Sequence, residues 1–240
     1  MGVRLNTFLA RATALSRRAA DRAIAAGEVE VNGRRVDALG LKVDPKCDRV
    51  LWHGKQVMPT REKICLAFYK PRHVVVTKSD PQGRPTIWRW LEPYAAECNA
   101  AGRLDYESEG LLLITNDGML IERLTHPRFG VAKRYHVKVD GIPDDAKLAR
   151  LTRGARVAGV IYQPVDIRRL RSTEENGWLE MTLTEGKYRE IRALCAAIGH
   201  LVLKLRRVAV GPIKLGTLRP GQARKLRSNE IAELNRIFCR

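Results

Sequence analysis

The sequence predicts an α+β fold, with a small helix-pair and hairpin module over residues 1–60 ahead of a larger domain over residues 61–240. Three observations predict it. From about residue 64, short strand-like runs follow one another with only occasional helices, where a doubly wound parallel sheet would alternate the two. Residues 5–26 carry two amphipathic stripes and lead into a hairpin signal. The chain has 240 residues, 45% hydrophobic and 29% charged, which suits a packed core in one medium domain plus a small one.

Each element has a local reason. Residues 5–14 show one apolar stripe through Leu5, Phe8, Leu9 and Ala12. Ser16 is a good N-cap for a second helix reaching Ala26, and Gly27 fits the left-handed position after it. That helix sets Ala19, Ala20, Ala23 and Ile24 on one side and Arg18 and Arg22, four apart, on another. Val29-Glu30-Val31 alternates, and Asn32-Gly33 is the strongest short hairpin signal. Asp44-Pro45 and Met58-Pro59-Thr60 are turn chemistry, and Arg61 opens the second region. There, strands are expected at 64–69, 74–77, 111–115, 135–139 and 178–184, and helices at 119–124, 145–151, 188–198 and 228–237.

The charge balance points to a partner. Lys and Arg number 44 against 26 Asp and Glu, a net charge of +18, so a polyanion, and for a soluble protein nucleic acid, is the default. A single arginine on the first two helices would read as a solvated face. Arg4, Arg11, Arg17, Arg18 and Arg22 together read as a phosphate-tracking surface.

Other classes fall away. Apolar runs such as Leu111 to Ile114 are far short of the roughly 20 residues of a membrane span. Cys47, Cys65, Cys98, Cys195 and Cys239 are odd in number and scattered, which argues against a disulfide framework or zinc site and for reduced thiols in the cytoplasm. Residues 1–20 are Arg-rich and acid-free, a transit-peptide trait, but no apolar run follows as a secretory signal would need, and Asn6 breaks the myristoylation pattern. No self-complementary patch is visible, so a monomer is expected.

The densest cluster runs from Asn99 to Gly118. Gly102 and Gly110 bracket Arg103-Leu104-Asp105-Tyr106-Glu107-Ser108-Glu109, and a buried-strand candidate follows. An acidic, glycine-bracketed loop beside a core strand can hold a reactive carboxylate on a rigid scaffold, and it can equally be a solvated turn. Asp117 reads as a turn residue.

Two resemblances bear on these residues. RLNTFLARATALSRRAADRAIAAGEVEVNGRRV (Arg4 to Val36) resembles the small RNA-binding domain named for ribosomal protein S four, which also accounts for the acid-free start. GRLDYESEGLLLITNDG resembles the central motif of the RsuA-type ribosomal RNA pseudouridine synthases. YKPRHVVVTKSDPQGRPT, LTHPRFGVAKRYHVKVDG and the stretch from Leu183 to Leu226 resemble further motifs of that family, in order. Two positions depart from it: His73 stands where Gly is usual after Lys-Pro-Arg, and Ala100-Ala101 replaces Pro-Val. Both bear on loop shape and substrate fit.

The resemblance implies a mainly antiparallel sheet with flanking helices and a central cleft, and isomerisation of a uridine in ribosomal RNA with no cofactor or metal. The missing dinucleotide and P-loop fingerprints agree with this. It implies Asp105 as the catalytic carboxylate, acting as nucleophile or as base. Arg192 would be its cationic partner and Tyr135 would stack on the uracil and help move a proton. Leu205 would pack on the flipped base, and Arg103 would fill the space it leaves. Lys133, Lys187, Arg189, Arg206 and Arg207 would neutralise phosphates. On residues alone, a non-catalytic RNA-binding or ribosome-assembly protein and a carboxylate glycosidase acting on nucleic acid remain alternatives.

Overall fold

Leu5, Phe8 and Leu9 form the buried side of a first helix, Leu5–Ala12, and Ala20, Ala23 and Ile24 that of a second, Arg17–Ala25. The computed structural model describes residues 2–13, 15–58 and 62–238; Ala14, the Pro59-Thr60-Arg61 part of the expected connector and Cys239 lie outside them. The Ser16 hydroxyl accepts from the Ala19 amide at 3.1 Å, so the second helix starts where its cap predicts. Arg35 closes its other end by donating to the Gly27 and Ala26 carbonyls at 2.5 and 3.2 Å. Asn32 and Gly33 have φ of 53° and 79°, the type I′ geometry that pairs Val29–Val31 with Arg34–Val36. Val29, Val43 and Val50 join the helices in one small core. These elements belong to a compact unit, Met1–Lys63; Ile64–Arg240 is a second.

The second unit is α+β, built on a mixed sheet of nine strands. Seven lie side by side in the order Asp166–Ser172, Asn176–Leu183, Lys133–Asp140, Val202–Val210, Glu109–Thr115, Cys65–Lys70 and Ala223–Lys225. Among the described residues every pairing in it is antiparallel but one. Val202–Val210 runs parallel to Glu109–Thr115, with Arg206 opposite Glu109 and Arg207 opposite Gly110.

The two halves of the sheet bury differently. Every residue of Cys65–Lys70 and Glu109–Thr115 is buried, and their middles, 65–69 and 111–114, read as unbroken apolar runs. Leu66, Phe68 and Leu112 pack with Ile87 and Leu91 on one side; Ala67, Leu111 and Leu113 pack on the other with Leu124 and Leu234, from the helices Gly118–Thr125 and Ser228–Ile237. In the other half, Asn176–Leu183 alternates half-buried and buried along its length. Its Leu179, Met181 and Leu183 join Val137, Val139 and Leu205 beneath the helices Asp145–Thr152 and Glu190–Ala197. No helix among the described residues is long and apolar enough to cross a membrane.

Some expectations shift. Residues 74–77 form no strand; Val75 makes only an isolated bridge to Thr86. The helix expected from 188 starts at Glu190, because Arg189 holds a left-handed φ of 51° and the Tyr188 side chain stands in solvent. The first helix stops at Ala12, where the Thr13 hydroxyl donates to the Leu9 carbonyl at 2.7 Å. Asp166–Ser172 and Val202–Val210 are strands that periodicity hides. The first is a largely exposed edge, and the second sets Lys204, Arg206 and Arg207 among its apolar residues.

The parallel seam depends on Gly110. Its φ is 110°, and a Cβ there would lie 2.3 Å from the Arg207 carbonyl oxygen and 2.7 Å from the Arg207 nitrogen, both backbone. Gly110→Ala is expected to lower unfolding stability by on the order of 3 kcal/mol in urea titration. Gly118→Ala, where an added Cβ meets open space at a helix start, is expected to cost nothing measurable.

Candidate active site

Asp105 lies on the loop that enters the buried strand Glu109–Thr115. Leu104 anchors this loop in the core, and the Ser108 amide donates to the Asp105 carbonyl at 3.0 Å, turning the chain there. The Asp105 side chain is left half-buried.

Two buried cations brace the loop from behind. Lys70 ends the strand Cys65–Lys70 at 0% exposure, and its ammonium donates to the Pro71 and Ser108 carbonyls at 2.8 and 2.7 Å. Burial pulls its pKa down to about 8, against the attraction of Asp105. Arg207 is 3% exposed; its Nε donates to the Leu111 carbonyl at 2.7 Å and one Nη to the Arg103 carbonyl at 3.5 Å. Lysine and arginine thus hold backbone carbonyls on both sides of Asp105.

Other residues clasp the loop from outside. The His73 amide donates to the Tyr106 carbonyl at 2.7 Å, and the two rings meet edge-on at 5.2 Å. Arg72 and His73 reach Glu107 at 2.9 and 3.4 Å. His73 holds a φ of 58°, a conformation that glycine adopts without strain. The departure at this position therefore adds side-chain contacts to the loop at some backbone cost.

Asp105 opens on a cleft of about 340 Å³. Its lining includes Arg103, Lys133, Tyr135, Lys187, Arg189, Arg192 and Leu205, so the structure brings together every candidate the sequence analysis named for this site outside the first unit, except Arg206. Tyr135 and Leu205 come from neighbouring strands, whose register shifts between Arg134 and Tyr135 with Val208 as the extra residue on the Leu205 strand. Arg192, on the helix Glu190–Ala197, donates to the Val202 carbonyl at 3.1 Å. Burial and Arg189 push its pKa below the usual guanidinium value, while Asp105 and Glu107 pull it back. Lys187 sits at the rim, held by Glu185 and the Ile161 carbonyl, each at 2.6 Å.

Two cations depart from the expected phosphate-neutralising surface. Arg207 is buried behind the loop, so it serves the loop. Arg206 points to the opposite face, because neighbours in a strand alternate, and meets Glu109 at 3.0 Å. Asp117 caps the helix Gly118–Thr125, accepting from Met119 and Leu120 amides at 3.0 and 3.3 Å, in line with its reading as a turn residue. In the first unit Arg4, Arg17, Arg18 and Arg22 are exposed and Arg11 is half-buried.

The sequence reading missed Lys70, Ser108 and Glu190. The clue for Lys70 was a charged residue closing an apolar run just before Pro71. Besides Trp88 Nε1, which lies elsewhere, three buried donors find no partner among the described residues: Arg192 Nε, an Arg207 Nη and Ser108 Oγ. All three residues line the cleft. Buried polar groups left open at one site suit an oxygen-rich ligand.

Glu190 is buried beneath the rim, where the Lys187 amide donates to it at 2.9 Å. Burial, with Glu185 beside it, raises its carboxyl to about 7. The folded chain therefore binds this proton more tightly than the unfolded one, and stability falls as pH rises from the ordinary carboxyl range to about 7. Glu190→Gln keeps the neutral form. It is expected to match the parent in unfolding free energy near pH 4 and to exceed it above pH 7, by on the order of 1 kcal/mol in urea titration.

The same geometry has relatives. The family model for RNA pseudouridylate synthase matches residues 64–197, and that for the S4 domain matches residues 3–50. An uncharacterized RNA pseudouridine synthase of Aquifex aeolicus is 39% identical over 98% of this chain and 94% of its own. The ribosomal large subunit pseudouridine synthase B of Bacillus subtilis is 35% identical over 98% and 96%. A crystal structure of a pseudouridylate synthase superposes with a TM-score of 0.68 and 28% identity over 97% of this chain and 99% of that one. The chain belongs to the RNA pseudouridine synthases, with an S4 domain ahead of the catalytic unit.

Proposed function

We propose that this enzyme isomerises a specific uridine of ribosomal RNA in the cytoplasm, with Asp105 as its single catalytic carboxylate and the target base flipped into the cleft. The observation that carries the reading is the placing of Asp105 in a cleft with Tyr135, Leu205 and the cations Arg192 and Lys133. The B. subtilis relative, named for the large ribosomal subunit, supports ribosomal RNA as the substrate.

In the reaction the C1′–N1 bond breaks, the uracil turns, C1′–C5 forms, the C5 hydrogen leaves as a proton and the freed N1 takes one up. The isomerisation is redox-neutral, so it calls for no redox cofactor. Ionised Asp105 starts it by attack at C1′ or by taking the proton at C2′. Arg192 stabilises that charge and orients it. Tyr135 stacks on the turning base and its hydroxyl carries the C5 proton away. Leu205 packs on the base, and Arg103, exposed at the mouth, fills the gap left in the RNA stack. Lys133, Lys187 and Arg189 hold the flanking phosphates, while Arg4, Arg11, Arg17, Arg18 and Arg22 dock the RNA on the S4 domain.

Asp105→Asn is expected to cut release of a C5 label from transcribed ribosomal RNA by at least about 10³-fold while RNA affinity stays within about twofold. Full label release by the variant would refute the assignment. Free uracil as product of the parent enzyme would favour a glycosidase, and binding without any label release a binding-only protein. Changing Arg17, Arg18 and Arg22 together to Gln is expected to weaken binding to long RNA. It should also flatten the salt dependence by up to about 0.9 log units per lost phosphate contact, with kcat retained.

A further inference from the structure

The sheet behind the cleft has a second face that this chemistry leaves unused. Along Lys133–Asp140, Tyr135, Val137 and Val139 meet the helix-covered core, so His136 and Lys138 point the other way. The strand registers align two rows across that face. One runs Arg168, Glu180, His136, Arg206; the other runs Arg171, Trp178, Lys138, Lys204. Four strands at about 4.8 Å make each row about 14 Å wide. The side chains stay open: Arg168 is 71% exposed and Arg134 48%, and even in the middle of the sheet Lys204 and Arg206 keep 34% and 35%.

Charge decides what such a face can meet. Arg134, Lys138, Arg168, Arg171, Lys204 and Arg206 stand against three carboxylates, Glu180, Glu109 and Asp166, the last in register with Thr182 beside Arg134. Glu180 is shared among Arg168 and His136, each at 3.2 Å, and Arg134 at 3.9 Å. Glu109 is shared by Arg206 at 3.0 Å and Lys204 at 3.3 Å. These six cations outnumber the three anions by three. The second row contains no acid, and Arg171 lies over the Trp178 ring at 5.4 Å. A protein partner would look for a buried apolar anchor; these rows offer open cations in excess, which suit the phosphates of a helical polyanion.

We propose that this face is a second RNA-contact surface, binding the backbone of a duplex segment of the RNA whose target uridine enters the cleft on the other side of the sheet. The proposal rests on structured RNA being the substrate. It is independent of which residue performs the chemistry.

The test uses the full chain carrying Lys138→Glu with Arg171→Glu, two residues of the row without a carboxylate. Binding is measured to a 24-base-pair RNA duplex and to transcribed ribosomal RNA across a salt series. Affinity for both is expected to fall about tenfold, and the slope of log Kd against log salt by about two, since two phosphate contacts are lost. KM on ribosomal RNA should rise with kcat unchanged. The control, Arg150→Glu with Arg153→Glu, makes the same charge change at exposed sites on and just after the helix Asp145–Thr152, which covers the other face, and should alter affinity less than twofold. Lysine acetylation read by mass spectrometry on the Asp105→Asn chain should show Lys138 and Lys204 protected by the duplex. Unchanged affinity and slope, an equal loss in the control, or equal labelling of both lysines with and without RNA would overturn the proposal. So would protection by polyglutamate and not by RNA, which would assign the face to an acidic protein. Because the footprint needs no turnover, an inactive enzyme with intact protection would count against the proposed reaction and leave this surface standing.

Discussion

The short parallel contact between Glu109–Thr115 and Val202–Val210 is the constraint on which the rest of the catalytic unit depends. It joins two antiparallel half-sheets at Gly110, where the Arg207 backbone approaches too closely for any side chain. Asp105 arrives from one half, Tyr135 and Leu205 from the other, and this joint sets them around one cleft. Arg207 fastens the joint a second time by holding the Leu111 and Arg103 carbonyls from within the core. Removing a buried guanidinium of this kind would strand two acceptors, and paired carbonyls are the reason it tolerates burial.

The cleft is electrostatically lopsided. Around Asp105 stand Lys70, Lys133, Arg192 and Arg207, each at least partly withdrawn from water. Burial weakens the hold of Lys70, Lys133 and Arg192 on their protons, the signature of positive charge kept in a low-dielectric place. Such charges act on a substrate more strongly than the same groups would on an open surface. The rim works in the opposite sense. Glu190 is held near neutral and Glu185 is tied to Lys187, so the acids there do little to cancel the field that an RNA backbone would meet.

Much of this was legible locally. Ser16, Gly27 and Asn32-Gly33 act through bonds to residues a few positions away, so the helix pair and hairpin could be read from spacing alone. Leu111 to Thr115 announced itself as a buried strand because both its faces are apolar. Asp105, Tyr135 and Arg192 came through motif resemblance, and the structure set them around one cavity. Strand Val202–Val210 was illegible because its charges serve three ends: Lys204 and Arg206 share Glu109 on one face, while Arg207 turns inward on the other. No periodicity rule separates those uses.

The sequence by itself determined the strong positive charge, the local starts and stops of the first unit, the apolar strands and the order of the motifs, since each depends on composition or on neighbours along the chain. Tertiary structure decided which face of a strand each cation occupies and which cations are buried. It also decided that residues 105, 135, 192 and 205 share one cavity, because those outcomes rest on strand register and on one parallel contact between segments about a hundred positions apart.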